Sequence, residues 1–251
     1  MVVAAILFTA LHGLQTGQPL RSRKVEISPQ LTLSVFEVAR PASLVEQWSS
    51  GVKTAADPFG VVLWPGALYA ARRLAASPPR DGETCLVVGA GTGLEALTAA
   101  SLGSQVVAVD INPLTLNLLA DAAREHDLHD RIETRVLDLT SDEELPDADV
   151  HVYADTLYTR ELCDHVARRC REELWSRARM RRLLLTTSQQ FEWIRDDFLA
   201  ELNVQPPGQP TRPWQRMEWQ HSKLENFTGS GILLEEDQSY DAKIRYLDVT
   251  P

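Results

Sequence analysis

Cys85 to Glu95 read CLVVGAGTGLE, and Ser104 to Asp110 read SQVVAVD. An apolar run that breaks into alternating glycines, answered about twenty residues later by an acid at the tip of the next apolar run, is the pattern of a nucleotide cradle. Glycine suits the loop because a side chain would hold the backbone away from a ligand and because a tight turn uses positive φ. The acid at Asp110 is placed to accept hydrogen bonds from two ribose hydroxyls.

Outward from this stretch the chain alternates strand and helix. Cys85 to Val88 leads into a helix through Leu94, Leu97 and Leu102, stopped by Gly103. Val106 to Val109 leads into a second helix, opened by Asn112 as N-cap and Pro113 at the first helical position, with Leu114, Leu118 and Ala122 on one side. Ile132, Thr134 and Val136 alternate as a third strand, and Val150 to Ala154 reads as a fourth. A helix over about Arg160 to Trp175 follows, then the apolar run Leu183 to Leu185, then Phe191, Ile194, Phe198 and Leu202 at helical spacing. Upstream, Leu68, Ala71, Leu74 and Ala75 share a helical face that ends before Pro78-Pro79, and Leu31, Leu33 and Val35 alternate as a strand of an N-terminal addition outside the core. Downstream, Lys243, Arg245 and Leu247, with Gly229 and Gly231 at a bend, predict a closing β-hairpin. Strands separated by helices mean an α/β fold, a Rossmann-like, doubly wound and mostly parallel sheet covered on both faces. One domain is expected over residues 31–251, after an extension over residues 1–30.

Composition narrows the function classes. With 251 residues, 44% of them hydrophobic, the chain can bury the core of one ordinary domain. A net charge of −10 argues against a nucleic-acid partner, which asks for clustered Lys and Arg to displace counterions. The local basic run Arg177, Arg179, Arg181 and Arg182 reads as a solvated helix end. Three cysteines make no disulfide framework, and neither they nor His126, His129, His151 and His165 share a ligand spacing, so no metal is expected. Val2 to Leu14 is apolar but thirteen residues long, short of the roughly 20 that cross a bilayer, so no integral membrane segment is expected. The same stretch is read as a targeting segment or as an N-terminal element packed on the domain, which gives a cytoplasmic location or, on import, a mitochondrial or other organellar one.

The cradle alone serves NAD and S-adenosylmethionine alike. Gly91, Gly93 and Ala96 satisfy the dinucleotide frame G-x-G-x-x-A, which keeps a nicotinamide-dependent oxidoreductase in view. Three features taken together decide between them. Asp57-Pro58-Phe59 with Leu63-Trp64-Pro65-Gly66 lies upstream, GAGTG forms the cradle, and Asp155-Thr156-Leu157-Tyr158 gives D-x-x-Y after the fourth strand. In this combination the sequence resembles the class I S-adenosylmethionine-dependent methyltransferases. Among them it is similar to the eukaryotic seven-strand lysine methyltransferases that include the enzyme acting on the electron-transfer-flavoprotein β-subunit. The resemblance covers about residues 31–202.

It implies a seven-stranded sheet with an antiparallel C-terminal hairpin, and S-adenosyl-L-methionine as cofactor. It implies that Trp64 packs on the cofactor, that Gly89, Ala90, Gly91 and Gly93 pass near its methionine portion, and that Asp110 holds the ribose. Asp138 would accept from the adenine amino group, Leu139 would lie against the ring, and Ala154 would line the floor. Asp155 and Tyr158 would orient the acceptor amine, a protein lysine or a small-molecule amine, and favour its neutral form. One departure stands out. Most members of the class carry an acid two residues before the first glycine, where this chain has Val87; Glu95 and Glu83 are the candidates to compensate. With Val87 the chain can also be read as a non-catalytic binding module that kept the fold.

Overall fold

The computed structural model describes residues 19–51, 57–176, 182–205, 207–208, 217–229 and 237–250. The expected targeting segment and Gly231 lie outside them, as do Arg177, Arg179 and Arg181. The described chain runs β1 Leu20–Ser28, β2 Leu31–Val38, α1 Ala42–Ser49, a 3-10 turn Phe59–Val61, α2 Pro65–Ala76, β3 Thr84–Val88, α3 Leu94–Ser101, β4 Gln105–Asp110 and α4 Pro113–Glu125. It continues with β5 Ile132–Val136, β6 Val150–Ala154, α5 Arg160–Ser176, β7 Arg182–Thr187, α6 Glu192–Leu202, β8 Gln220–Gly229 and β9 Gln238–Val249.

Seven strands form one sheet in the order β5-β4-β3-β6-β7-β9-β8. The pairs among β5, β4, β3, β6 and β7 are parallel, and β9 joins β7 and β8 antiparallel. Strand order reverses beside β3, between β4 and β6, which is where a doubly wound sheet opens a crevice at the carboxyl ends of its strands. The glycine stretch leaves β3 at that point.

Side chains of the central strands alternate between two cores. Cys85 and Val87 of β3 join the cluster under α2, α3 and α4, while Leu86 and Val88 join the one under α5 and α6. In β7, Leu184 faces the first cluster and Leu183 and Leu185 the second. A strand buried on both faces has no polar side, hence the unbroken apolar runs. Asn112 caps α4 as expected, its side chain accepting from Leu114 N at 2.9 Å, with Pro113 behind it.

The structure corrects two expectations. The segment before Val38 is part of the main core: β1 and β2 form an antiparallel ribbon that packs on α2, α3 and α4 and puts Val25, Ile27, Leu33, Val35 and Phe36 into the first cluster. Residues 33–38 of β2 are all buried, more than the alternation of a half-buried strand implies, because the helix layer covers its apolar side and Glu37 is paired with Arg21 and Arg23. Arg182 is no solvated helix end. It opens β7, is 9% exposed, and binds both carboxylate oxygens of Asp248 on β9 at 2.8 and 2.9 Å. A basic run reads as a solvated face until one member has a half-buried acid across the sheet. Cys85, Cys163 and Cys170 are buried and free. Among the described residues no helix is long and apolar enough to cross a membrane.

Candidate functional site

The loop from Gly89 to Gly93 is shaped by close approaches. Gly89 has φ +66°, and a Cβ there would lie 2.6 Å from Thr156 Cγ2. Gly93 caps α3 with φ +76°, and a Cβ there would lie 2.3 Å from Leu119 Cδ1. Both positions combine a left-handed backbone with no room, so only glycine fits. Ala90 N donates to Val109 O at 3.0 Å, and Gly91 N donates to Asp110 Oδ2 at 2.8 Å. The other Asp110 oxygen accepts from Asn112 N at 2.8 Å. Asp110 thus ties the loop to the tip of β4, with lone pairs left over on both oxygens. Its burial, with Asp57 nearby, raises its pKa against the opposing pull of the two backbone N–H groups.

The facing wall comes from the upstream segment and the D-x-x-Y stretch. Asp57 accepts from Phe59 N at 2.8 Å, Asn112 Nδ2 donates to Asp57 O at 2.8 Å, and the Tyr158 hydroxyl donates to Asp57 Oδ2. Burial first, then Asp57, pushes the Tyr158 phenol far above its usual range, so the ring stays neutral. Trp64 Nε1 donates to Phe59 O at 2.6 Å. Phe59 is flanked by Trp48 and Tyr158, with ring centroids 5.1 and 5.2 Å away. Asp155 holds the left-handed conformation at φ +52° and accepts from Gly66 N at 2.6 Å and from Ser188 N at 2.5 Å. Gly66 lies in the first turn of α2, so a carboxylate there also meets the positive end of the helix. Burial outweighs these bonds and lifts Asp155 to about 6.

Between the two walls lies a cavity of about 740 Å³. Of the residues singled out from the sequence, Trp64, Gly89, Ala90, Gly91, Asp110, Asp138, Leu139, Ala154, Asp155 and Tyr158 line it. Gly93 does not; its place is the cap of α3. Asp138 Oδ1 accepts from Thr140 N and Oγ1, both at 2.8 Å, which fixes the turn after β5. Trp48 and Phe191 also line the cavity and were given no role from sequence; Phe59, of the Asp57-Pro58-Phe59 stretch, and Glu95, a candidate to compensate for Val87, line it too. Leu44, Val45 and Trp48 at helical spacing are the signal that could have placed α1 beside the site. Val87 is 1% exposed in the first core cluster and lies outside the lining.

The lining has one sign of charge. Asp57, Glu95, Asp110, Asp138, Asp155 and Glu161 face it, and among the described residues no Lys, Arg or His does. Glycines whose Cβ positions are filled, an acid at the next strand's tip and an acidic wall fit a nucleoside that carries positive charge.

Residues 86–179 match the family model described as a methyltransferase domain. No curated protein matches the chain. Among solved structures the chain is similar to a putative RNA methyltransferase from Pyrococcus horikoshii, at 12% identity over 76% of this chain and 87% of that one, TM-score 0.50. A TehB-like SAM-dependent methyltransferase from Corynebacterium glutamicum is similar at 15% identity over 85% of this chain and 99% of that one, TM-score 0.48. The tRNA (uracil-54, C5)-methyltransferase of Pyrococcus abyssi, solved with S-adenosyl-L-homocysteine, is similar at 12% identity over 73% and 38% of the respective chains, TM-score 0.45. The likeness to the Pyrococcus horikoshii protein is one of fold.

Proposed function

We propose that this chain, which carries a class I S-adenosylmethionine-dependent methyltransferase domain, delivers the cofactor's methyl group to an amine nitrogen, the ε-nitrogen of a protein lysine. The observation that carries the amine is the lining: six carboxyl groups and, among the described residues, no basic side chain. Such a wall favours a cationic acceptor and repels a phosphodiester. The lysine reading draws support from the mouth, where Trp48 and Phe191 are 40% and 48% exposed. Exposed aromatics beside an acidic cavity offer a grip on the chain around a cationic side chain.

S-adenosylmethionine supplies a methyl group on a sulfonium, which leaves by in-line displacement and asks the protein for alignment. In this reading Asp110 holds the ribose hydroxyls with its remaining lone pairs. Asp138 and Leu139 face the adenine, Gly89 to Gly91 the amino-acid portion, and Trp64 and Ala154 close the sides. An acceptor lysine, ordinarily near 10.4, has to lose a proton before it can attack. Asp155 and Tyr158 orient it: the carboxylate through lone pairs its two backbone bonds leave free, the phenol oxygen as acceptor while its own O–H donates to Asp57. Both act by placement.

The test is incubation of the purified protein with methyl-tritiated cofactor and an undermethylated protein extract, a set of small amines, and total RNA. Label recovered as methyl-lysine after acid hydrolysis supports the reading. Label confined to small amines moves the acceptor to that class, label in RNA overturns the amine, and no label with cofactor bound leaves a binding module.

A further inference from the structure

Glu95 and Thr156 stand at the cavity wall beside the glycine loop, 2% and 4% exposed. Neither Glu95 Oε2 nor Thr156 Oγ1 has a hydrogen-bond partner among the described residues. A buried polar atom left unpaired costs about 1–3 kcal/mol, more when charged, so two of them in one cavity point to a ligand that pairs with them. The charge of Asp155, acting on Glu95, adds to the same sign. The complement of this pair is therefore a cation that brings N–H donors.

Position says which cation. Glu95 lies in the first turn of α3, directly after the loop assigned above to the cofactor's amino-acid portion, and acts on Cys85, whose side of β3 also carries Val87. The aromatic mouth at Trp48 and Phe191 belongs to the acceptor. We infer that Glu95, with the Thr156 hydroxyl beside it, receives the α-ammonium group of S-adenosylmethionine. Glu95 thereby supplies from the helix the negative charge that Val87 does not supply from the strand. The inference rests on the cofactor reading of the cavity.

Binding carries a proton count. Burial raises free Glu95 to about 8, so at pH 7 it is mainly protonated; the titratable groups that act with it are Asp155 at the end of β6 and the buried Cys85 thiol on β3. An arriving ammonium favours the carboxylate, and the carboxyl proton goes to solvent.

The experiment is calorimetric titration of the full chain, as wild type, Glu95→Gln and Thr156→Val. The ligands are S-adenosylhomocysteine and 5′-methylthioadenosine, which keeps the nucleoside and sulfur and lacks the amino-acid chain. Glu95→Gln is expected to lose S-adenosylhomocysteine affinity by more than about tenfold, the scale of a charged hydrogen bond, and to keep methylthioadenosine affinity. Thr156→Val should show the same selectivity to a smaller degree. Repeated in buffers of different ionisation enthalpy at pH 7, wild type should release close to one proton with the homocysteine ligand and none with the truncated one. Equal losses for both ligands, no loss for either, or the same proton count for both would overturn the inference. Wild type binding neither ligand would overturn the cofactor reading itself. Should Glu95→Gln fail to fold by circular dichroism, the wild-type proton counts decide alone.

Discussion

Titration of Glu95 should make the free protein less stable as pH rises through neutrality, opposite to the usual effect of carboxylates. Burial holds its folded pKa at about 8 against an ordinary 4.5. A raised carboxyl pKa contributes stability that is complete below the unfolded value and is lost as pH climbs through the folded one. The window is thus about pH 4.5 to 8. Between pH 6.5 and 7.5 the unfolded residue is ionised throughout, while the folded one passes from almost fully to roughly three-quarters protonated. The loss over that interval is then about 1 kcal/mol. Asp155, raised to about 6, has lost most of its contribution by pH 6.5. Asp110, also raised, is common to wild type and variant, so the difference between Glu95→Gln and wild type isolates Glu95. Urea unfolding at pH 6.5 and 7.5 should find the variant more stable than wild type at both, with its advantage larger by about 1 kcal/mol at the higher pH. Parallel stabilities at both would show that Glu95 is ionised and solvated in the folded protein, and the account of its environment would be wrong.

Gly93→Ala should destabilise by about 2–4 kcal/mol, combining a left-handed alanine with a Cβ driven into Leu119. Gly82→Ala, at nearly the same φ with nothing within 4 Å, should lose only about 1 kcal/mol; equal losses by chemical denaturation would refute the steric part. Asp248→Ala strands Arg182 and Arg73, which bind its carboxylate from β7 and α2, and should lose about 3–5 kcal/mol. A loss below about 1 kcal/mol would mean that the pair is wetted and weak. Tyr158→Phe removes the hydroxyl bonded to Asp57 and should slow methyl transfer on the order of tenfold while leaving S-adenosylhomocysteine affinity little changed. Equal effects on both would assign the hydroxyl to the cofactor side.

What could be read in the sequence depended on the range of the interactions. The strand and helix alternation, the Asn112-Pro113 cap and the glycine turn follow from neighbours within a few residues, and the structure has them where they were expected. The β1 and β2 ribbon was harder, because the helices it packs on, α2, α3 and α4, come further along the chain. Buried charge was hardest. Glu37 sits at 0% exposure, accepting from Arg21, Arg23 and Leu63 N, and nothing in LSVFEVAR distinguishes it from a solvent-facing acid between apolar neighbours. Glu95 was visible only as a candidate. Its burial and its place in the cavity lining arise only in the folded chain, where the helices and the glycine loop meet.

Asp155 shows how one residue can serve both fold and site. Its two bonds run to Gly66 at the head of α2 and to Ser188 just past β7, two segments brought together only at the carboxyl ends of β6 and β7. The left-handed backbone that aims it there is strained for a residue with a side chain, a strain tolerated where the surroundings fix it. A Cβ on Gly66 would fall within 2.5 Å of its carboxylate, so the glycine of Trp64-Pro65-Gly66 and the acid of D-x-x-Y require each other. The two motifs that announced the site as separate words are therefore one contact. Asn in place of Asp155 would keep the shape but offer Gly66 and Ser188 one acceptor where they need two, leaving a buried N–H unpaired or an amide hydrogen against a donor. The wall carrying Trp64 should then shift and methyl transfer fall. A variant with native stability and native cofactor affinity that has lost methyl transfer would leave Asp155 only its contact with the acceptor amine and refute its part in holding the wall.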